Sequence, residues 1–70
     1  NVNVVCPGYI RTDLNDDYLD RDKGRTMIAG FPRPRVMTID VLDPMILYLC
    51  SDASAQVTGS VFTIDDGQSL

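Results

Sequence analysis

Histidine is absent from the chain, and cysteine occurs only twice. Without histidine, a serine or cysteine nucleophile has no imidazole base, and the commonest ligand of catalytic zinc is missing. Cys6 and Cys50 lie in separate apolar runs without zinc-like or redox-like spacing, so each is expected to be a small buried hydrophobic residue, and nothing supports a disulfide between them. The sequence therefore excludes His-dependent triads and most catalytic zinc sites.

Positive charge is also scarce. Lysine and arginine number 6 against 10 acidic residues, which gives a net charge of −4. A phosphate backbone would be repelled on average, and no basic stripe interleaved with aromatic residues reverses this locally. No apolar run approaches the roughly 20 residues that cross a bilayer, and no basic-then-apolar leader opens the chain. We expect a cytoplasmic protein that binds neither nucleic acid nor membrane.

The first residues have the pattern of a core strand. Residues 2–6 form a β-branched run that Pro7 and Gly8 stop, as expected of a strand buried on both faces. Because the run has no lead-in, we expect the chain to start at a cut through a larger domain, and 70 residues is near the lower size limit for a domain. Residues 1–8 are assigned to this strand and turn.

A long polar connection and an apolar helix follow. Residues 9–40 are predicted to form a partly helical flap, with Gly24 and Gly30 interrupting any long helix. Residues 41–52 carry apolar side chains at helical spacing. Asp43 followed by Pro44 predicts an N-cap and a helix start near 43, whereas the earlier cap Thr38 would place Pro44 inside the helix.

A second strand, assigned to residues 60–67, closes the chain after a turn-rich connection. The order strand, flap, helix, strand predicts two parallel strands joined by a right-handed crossover. Parallel strands are stable in a wider sheet covered by helices on both faces. The sequence therefore predicts an α/β fold that forms part of a doubly wound parallel sheet.

Motifs along nearly the whole chain resemble the short-chain dehydrogenase/reductase family. Residues 7–12, Pro-Gly-Tyr-Ile-Arg-Thr, resemble the Pro-Gly-x-Ile/Val-x-Thr motif after the sixth strand of the classical members, and Val-Asn at 2–3 matches the residues before it. Residues 48–52 resemble Phe-Leu-x-Ser-Asp, residues 57–59 Val-Thr-Gly and residues 64–67 Val-Asp-Gly-Gly. The order and gaps resemble the carboxy-terminal third of a Rossmann-like domain.

Two positions depart from the family pattern. Asp66 stands where the family usually has glycine, and Ile39 stands where it often has the proline that opens the last helix. Aspartate is among the few residues that tolerate a positive φ, so the turn at Asp66 is expected to survive. Pro44 can supply the helix start that Ile39 does not.

The resemblance implies a nicotinamide-binding role for the first motif. Ligands of open parallel sheets bind beyond the carboxyl ends of the strands, where Pro7 and Gly8 lie. Gly8 lets the backbone approach a flat ring, and the Ile10 N–H and the Thr12 hydroxyl can hydrogen-bond a carboxamide. The resemblance implies that the carboxamide belongs to NAD or NADP. Taken alone, the motif would equally suit a turn that binds no ligand.

Residues of the flap are open to two interpretations. Leu14 and Tyr18 are candidate substrate contacts, and internal packing of the flap is the alternative. The aspartates between 13 and 22 lack the spacing and glycine of a calcium loop and are expected to form a solvated face, so no metal site is predicted. Arg33 and Arg35 could steer an anion, but solvated surface arginines are the simpler interpretation.

The residues that carry the family's chemistry are missing. The resemblance implies hydride transfer between nicotinamide and an alcohol or ketone, with a serine, a tyrosine and a lysine, but each tyrosine here is followed four residues later by aspartate. Our first hypothesis is a segment of an NAD(P)-dependent oxidoreductase whose remaining chain carries catalysis. The second is a non-catalytic assembly module, since the family's last helix and strand commonly form the contacts of a homo-oligomer, expected to be a homotetramer.

Overall fold

Two short parallel strands anchor the fold of the computed structural model, which describes residues 1–70. Between them lie three α-helices, and short 3-10 turns cover Ile39–Leu42 and Asp52–Ser54. The chain order is β1 (Val4–Pro7), α1 (Asp16–Asp20), α2 (Asp22–Ala29), α3 (Asp43–Leu49) and β2 (Val61–Ile64).

The predicted parallel pairing is confirmed. β1 and β2 run side by side, with Val4 opposite Val61 and Pro7 opposite Ile64. Within the segment 1–8 assigned to a strand and turn, β1 covers Val4–Pro7, and β2 is shorter than its assigned range 60–67 because a turn begins directly after Ile64. The carboxyl ends of both strands therefore meet at one edge, which is where open α/β sheets bind ligands.

Hydrogen bonds of side chains and of the backbone continue the pairing beyond the amino ends of the strands. The Asn3 amide accepts from Ser60 N–H at 3.0 Å and donates to Val57 O at 3.0 Å. Gly59 N–H donates to Val2 O at 2.7 Å, and Val2 N–H donates to the Thr58 hydroxyl at 3.1 Å. The Val-Asn and Val-Thr-Gly motifs, far apart in sequence, thus bind each other and fix the strand register.

The flap folds as a helical pair. Leu19 of α1 is the most buried side chain of the chain, at 1% exposure, and the backbone of Gly24 in α2 packs directly against α1. The helices are separated at Arg21, whose ψ of 167° is extended. The expectation that Gly24 would interrupt a helix is wrong, because this glycine packs closely against α1 from inside α2, whereas the same expectation for Gly30 is confirmed, because Gly30 is the residue at which α2 ends.

The predicted helix start near 43 is confirmed, because α3 begins at Asp43, but its cap differs from the prediction and it ends at Leu49 rather than at 52. A 3-10 turn over Ile39–Leu42 runs directly into α3, so Asp43 is already helical (φ −57°, ψ −48°) and is not the N-cap. Thr38 holds the extended capping conformation before the 3-10 turn. Pro44 is tolerated because it lies in the first turn of α3, where its missing N–H would have no intrahelical partner.

Both cysteines are exposed and unbridged, so the expectation of burial is wrong. Apolar side chains of the sheet and α3 are exposed as well, including Val4 at 50%, Leu47 at 70% and Val61 at 66%. The reason is that the 70 residues contain no element that covers these faces. None of the helices combines the length and apolar character that a membrane crossing requires.

Candidate functional site

Residues 7–12, here called the lip, leave the sheet at the carboxyl ends of both strands. Gly8 N–H donates to Ile64 O at 3.0 Å, which extends the parallel ladder by one step. Beyond it, Ile10 forms a parallel bridge to Met37, and Arg11 N–H donates to Met37 O at 3.0 Å. The lip is therefore attached on one side to β2 and on the other to the end of the flap.

Gly8 is packed against the turn that follows β2. A Cβ at this position would lie 2.3 Å from Gln68 Oε1, 2.6 Å from Asp65 Cβ and 2.9 Å from Asp65 Cα. Asp65 Cα is a backbone atom and Asp65 Cβ is bonded to it, so neither can move away without a shift of the backbone. Within the chain, glycine is thus required by a protein contact, while its close approach to a flat ring stays a prediction.

A glutamine amide clamps the next residue. Tyr9 N–H donates to Gln68 Oε1 at 2.6 Å, and Gln68 Nε2 donates back to Tyr9 O at 3.3 Å. Asp65 in turn fixes the turn that carries Gln68, accepting from Gly67 N–H at 3.0 Å and from Ser69 N–H at 3.1 Å. Sequence reasoning missed Gln68, because no local pattern indicates a partner 59 residues away.

A second amide holds the other end of the lip. Asn15 Nδ2 donates to Ile10 O at 2.8 Å, and Asn15 Oδ1 accepts from Thr12 N–H at 2.8 Å. The Asn15 N–H also donates to Thr12 O at 3.2 Å. Asn15 was missed as well, although asparagine directly before a helix is a recognisable signal for side-chain bonding to nearby backbone.

These contacts leave one donor of the lip unpaired. Among the backbone N–H groups of residues 9–12, only that of Ile10 has no protein acceptor, and the Thr12 hydroxyl makes no hydrogen bond within the chain. A carboxamide needs one donor for its oxygen and one acceptor for its NH₂ group. The predicted pair, Ile10 and Thr12, therefore retains the hydrogen-bonding capacity that such a ligand requires.

An open cleft of about 400 Å³ lies beside the lip. Pro7 and Gly8 line it together with Asp65 and Gln68 of the turn after β2. Phe31, from the flap, stacks on Tyr9 with ring centroids 6.0 Å apart and an interplanar angle of 28°. The flap thus reaches the edge where the strands end.

Arg11 braces the lip on its solvent side. Its Nη1 lies 2.5 Å from Asp16 Oδ1 and 3.2 Å from Asp20 Oδ1. The hydrogen bond that Arg11 donates to Asp16, together with the nearby charge of Asp20, outweighs partial desolvation and raises the pKa of Arg11. Part of the acidic stretch therefore forms ion pairs with Arg11 of the lip. No group of three or more side chains that could hold a metal ion occurs in the chain.

Comparison with known proteins decides the family. The family model described as enoyl-(acyl carrier protein) reductase matches residues 1–69. A short-chain type dehydrogenase/reductase from Mycobacterium ulcerans has a solved structure that superimposes with a TM-score of 0.85 at 36% identity, over 97% of this chain and 25% of that one. The chain belongs to the short-chain dehydrogenase/reductase family.

Further relatives in the short-chain dehydrogenase/reductase family are similarly covered. Protein FixR of Bradyrhizobium diazoefficiens is 42% identical over 69 residues, which is 99% of this chain and 23% of that protein. The structure of 4-hydroxyisoleucine dehydrogenase complexed with NADH matches with a TM-score of 0.84 at 33% identity, over 97% of this chain and 28% of that one. The chain spans about a quarter of the length of these relatives.

The two predicted substrate residues of this short-chain dehydrogenase/reductase chain lie away from the lip cleft. Leu14 is fully exposed before α1, and Tyr18 lines a separate, largely charged depression with Arg21 and Lys23. Pro7 and Gly8 line the lip cleft, whereas Ile10 and Thr12 follow them in the lip without lining it, and Leu14 and Tyr18 belong to neither the lip nor the cleft. Their contact with a substrate stays a prediction.

Proposed function

We propose that this chain supplies the nicotinamide lip and the substrate loop of an NAD(P)-dependent oxidoreductase that transfers hydride between nicotinamide and an alcohol or ketone. The observation that carries the proposal is the Ile10 backbone N–H, left unpaired in a lip whose other backbone N–H donors are all bound. The NADH complex of 4-hydroxyisoleucine dehydrogenase supports a nicotinamide cofactor.

The chain's own residues would bind and orient the nicotinamide ring. The Ile10 N–H would donate to the carboxamide oxygen, and the Thr12 hydroxyl would accept from its NH₂ group. Because amide clamps from Asn15 and Gln68 hold the lip on both sides, these two groups are positioned before the ligand binds. Such preorganisation reduces the entropy cost of binding and fixes which ring face is presented. The cofactor itself supplies the hydride chemistry.

The remainder of a longer chain would carry the other functions. This segment has neither a Tyr-x-x-x-Lys motif nor a glycine-rich pyrophosphate turn, and it spans about a quarter of its relatives. We infer that binding of the cofactor's pyrophosphate and acid/base catalysis reside outside residues 1–70.

Cofactor titration of the full-length protein tests this proposal. We expect NADH or NADPH to bind with enhanced nicotinamide fluorescence. We also expect the oxidised cofactor to be reduced by at least one member of a panel of alcohols, sugars and hydroxy acids, measured as a rise in absorbance at 340 nm. ADP-ribose, which lacks nicotinamide, is the control ligand. A full-length protein that binds neither dinucleotide would contradict the proposed function.

Assembly is a second candidate role, favoured by the exposed apolar surface of the last helix and strand. Ile46 is 43% exposed, and Leu47 and Val61 are more exposed still. We propose that this surface contributes to a homo-oligomer, a homotetramer by the family resemblance. A monomeric mass of the full-length protein by light scattering would rule this out.

The cytoplasmic location stays a prediction, and recovery of the protein from a secreted fraction would contradict it.

A further inference from the structure

Asp66 binds two arginines of the flap. Arg35 grips both of its carboxylate oxygens, with Nε 2.6 Å from Oδ2 and Nη2 3.2 Å from Oδ1. Arg33 Nη1 lies 2.8 Å from the same Oδ1. The Asp66 side chain is only 13% exposed, whereas both arginines remain about two-thirds exposed. Isolated surface ion pairs contribute little, but a bidentate pair shared by two arginines is the strong geometry.

The carboxylate is held in an unusual backbone conformation. Asp66 has a φ of +53°, in the left-handed region that favours glycine, and Gly67 follows at +82°. A non-glycine residue there carries a backbone penalty. The family usually has glycine at this position, so here an aspartate replaces the unstrained residue. The two arginines 31 and 33 residues earlier provide a reason for that replacement.

The ion pairs close a mechanical connection between flap and lip. Asp66 lies in the same turn as Gln68, whose amide clamps Tyr9. On the flap side, Phe31 stacks on Tyr9 just before the paired arginines. The end of the flap is therefore fastened by an aromatic contact and by an ion-pair cluster to the edge that holds the lip.

We propose that Asp66, Arg33 and Arg35 form a latch that holds the flap closed beside the lip, and that Asp66 is a positioning residue for substrate binding. The inference rests on the proposed function, because only in such an enzyme is the flap a substrate loop. The latch fastens the flap, whereas the lip keeps its own clamps from Gln68 and Asn15, so substrate affinity is the quantity that the latch controls.

The ionisation of Asp66 supports a latch that is closed at neutral pH. Hydrogen bonds, first from Arg35 and then from Arg33, lower the pKa of Asp66 from its usual 3.8 to about 2, against the opposing effect of partial desolvation. A lowered pKa in the folded state means that the stabilisation is present above the usual pKa and is lost as the pH falls towards 2. The carboxylate therefore stays charged throughout the neutral range.

Two substitutions of Asp66 in the full-length protein test the latch. Asp66→Gly removes the carboxylate and relieves the positive φ, so misfolding is not expected, whereas Asp66→Asn keeps the size and tolerates the backbone. We expect amide hydrogen exchange across residues 22–35 to be about three- to tenfold faster in both variants, with KM for substrate raised by a similar factor. Cofactor affinity should stay within twofold of wild type. Arg25→Gln, an exposed flap arginine without an ion pair, is the matched control.

The outcomes separate the latch from the proposed function. Flap exchange at the wild-type rate in both Asp66 variants would overturn the latch, whether or not the protein is active. Faster flap exchange with unchanged KM would also overturn it, because release of the flap would then have no effect on substrate binding. Failure of the wild-type protein to bind either dinucleotide would instead contradict the proposed function. The exchange comparison would in that case still decide whether Asp66 fastens the flap.

Discussion

Gly8→Ala is expected to weaken nicotinamide binding at least tenfold and to destabilise the fold. The added Cβ would lie 2.6 Å from Asp65 Cβ and 2.9 Å from Asp65 Cα, so the turn after β2 has to move away from the lip. That movement separates Gln68 from Tyr9 and releases the first of the two lip clamps. Overpacking of this kind typically costs about 1–3 kcal/mol.

Urea unfolding and NADH or NADPH titration of the full-length variant measure the two effects of Gly8→Ala. Gly30→Ala is the matched control, because its φ is −82° and the nearest atom to an added Cβ is 3.4 Å away. We expect the control to change the free energy of unfolding by less than about 1 kcal/mol. If Gly8→Ala kept wild-type stability and cofactor affinity, the packing described for the lip would be wrong.

Gly24→Ala is expected to destabilise the flap, in the opposite direction from helix propensity. Alanine inside a helix gains about 1 kcal/mol over glycine on propensity alone. Here an added Cβ would lie 2.1 Å from Tyr18 O and 2.7 Å from Leu19 Cα, both of them backbone atoms. The steric term should therefore dominate, with a net loss of roughly 1–3 kcal/mol and separation of α1 from α2.

Hydrogen exchange of the flap, compared between Gly24→Ala and Gly30→Ala, measures this effect. We expect faster exchange over α1 and α2 in the first variant and near wild-type exchange in the second. KM for substrate should rise with it, whereas affinity for the dinucleotide should change less, because the lip does not contact Gly24. Greater stability of Gly24→Ala would show that the two helices are not packed as described.

The parallel strand pair was predictable because its signals are local. β-branched runs ended by Pro7-Gly8 and by Asp65-Asp66-Gly67 mark the strands. The connection between them is long enough for the crossover that parallel pairing requires. The tolerance of Asp66 for positive φ was predicted from residue type alone and is confirmed. Features that depend on one residue's own chemistry could thus be inferred from the sequence.

Contacts between distant segments could not be inferred in this way. Gly24 has the propensity of a helix breaker, but packing against α1 reverses its effect. Arg33 and Arg35 look like solvated arginines in the sequence, because their carboxylate partner is about thirty residues away. The Gln68 clamp on Tyr9 is likewise set by tertiary structure. Such partners depend on register and crossing geometry, which hydrophobic periodicity does not specify.

Exposure is the other quantity that local patterns misjudged. Cys6 and Cys50 lie in apolar runs typical of buried elements, yet both are exposed in the 70 residues. An apolar run indicates a face that is suited to burial. Whether its side chains are buried depends on which other elements are present to cover that face. An exposed apolar sheet face in a chain that spans about a quarter of its relatives fits the proposed longer parent.

Replacement of the Ile10 backbone amide by an ester in the full-length protein tests the central claim most directly, because it removes the unpaired N–H and leaves every side chain in place. Binding of NADH or NADPH and of ADP-ribose is compared, with stability measured alongside because the ester also weakens Tyr9 O as an acceptor for Gln68. An ester at Leu14, whose N–H is also unpaired, is the matched control. The proposal predicts about two- to tenfold weaker dinucleotide binding with unchanged ADP-ribose binding. Equal dinucleotide affinity in the ester and wild-type proteins would show that the lip does not hold the nicotinamide.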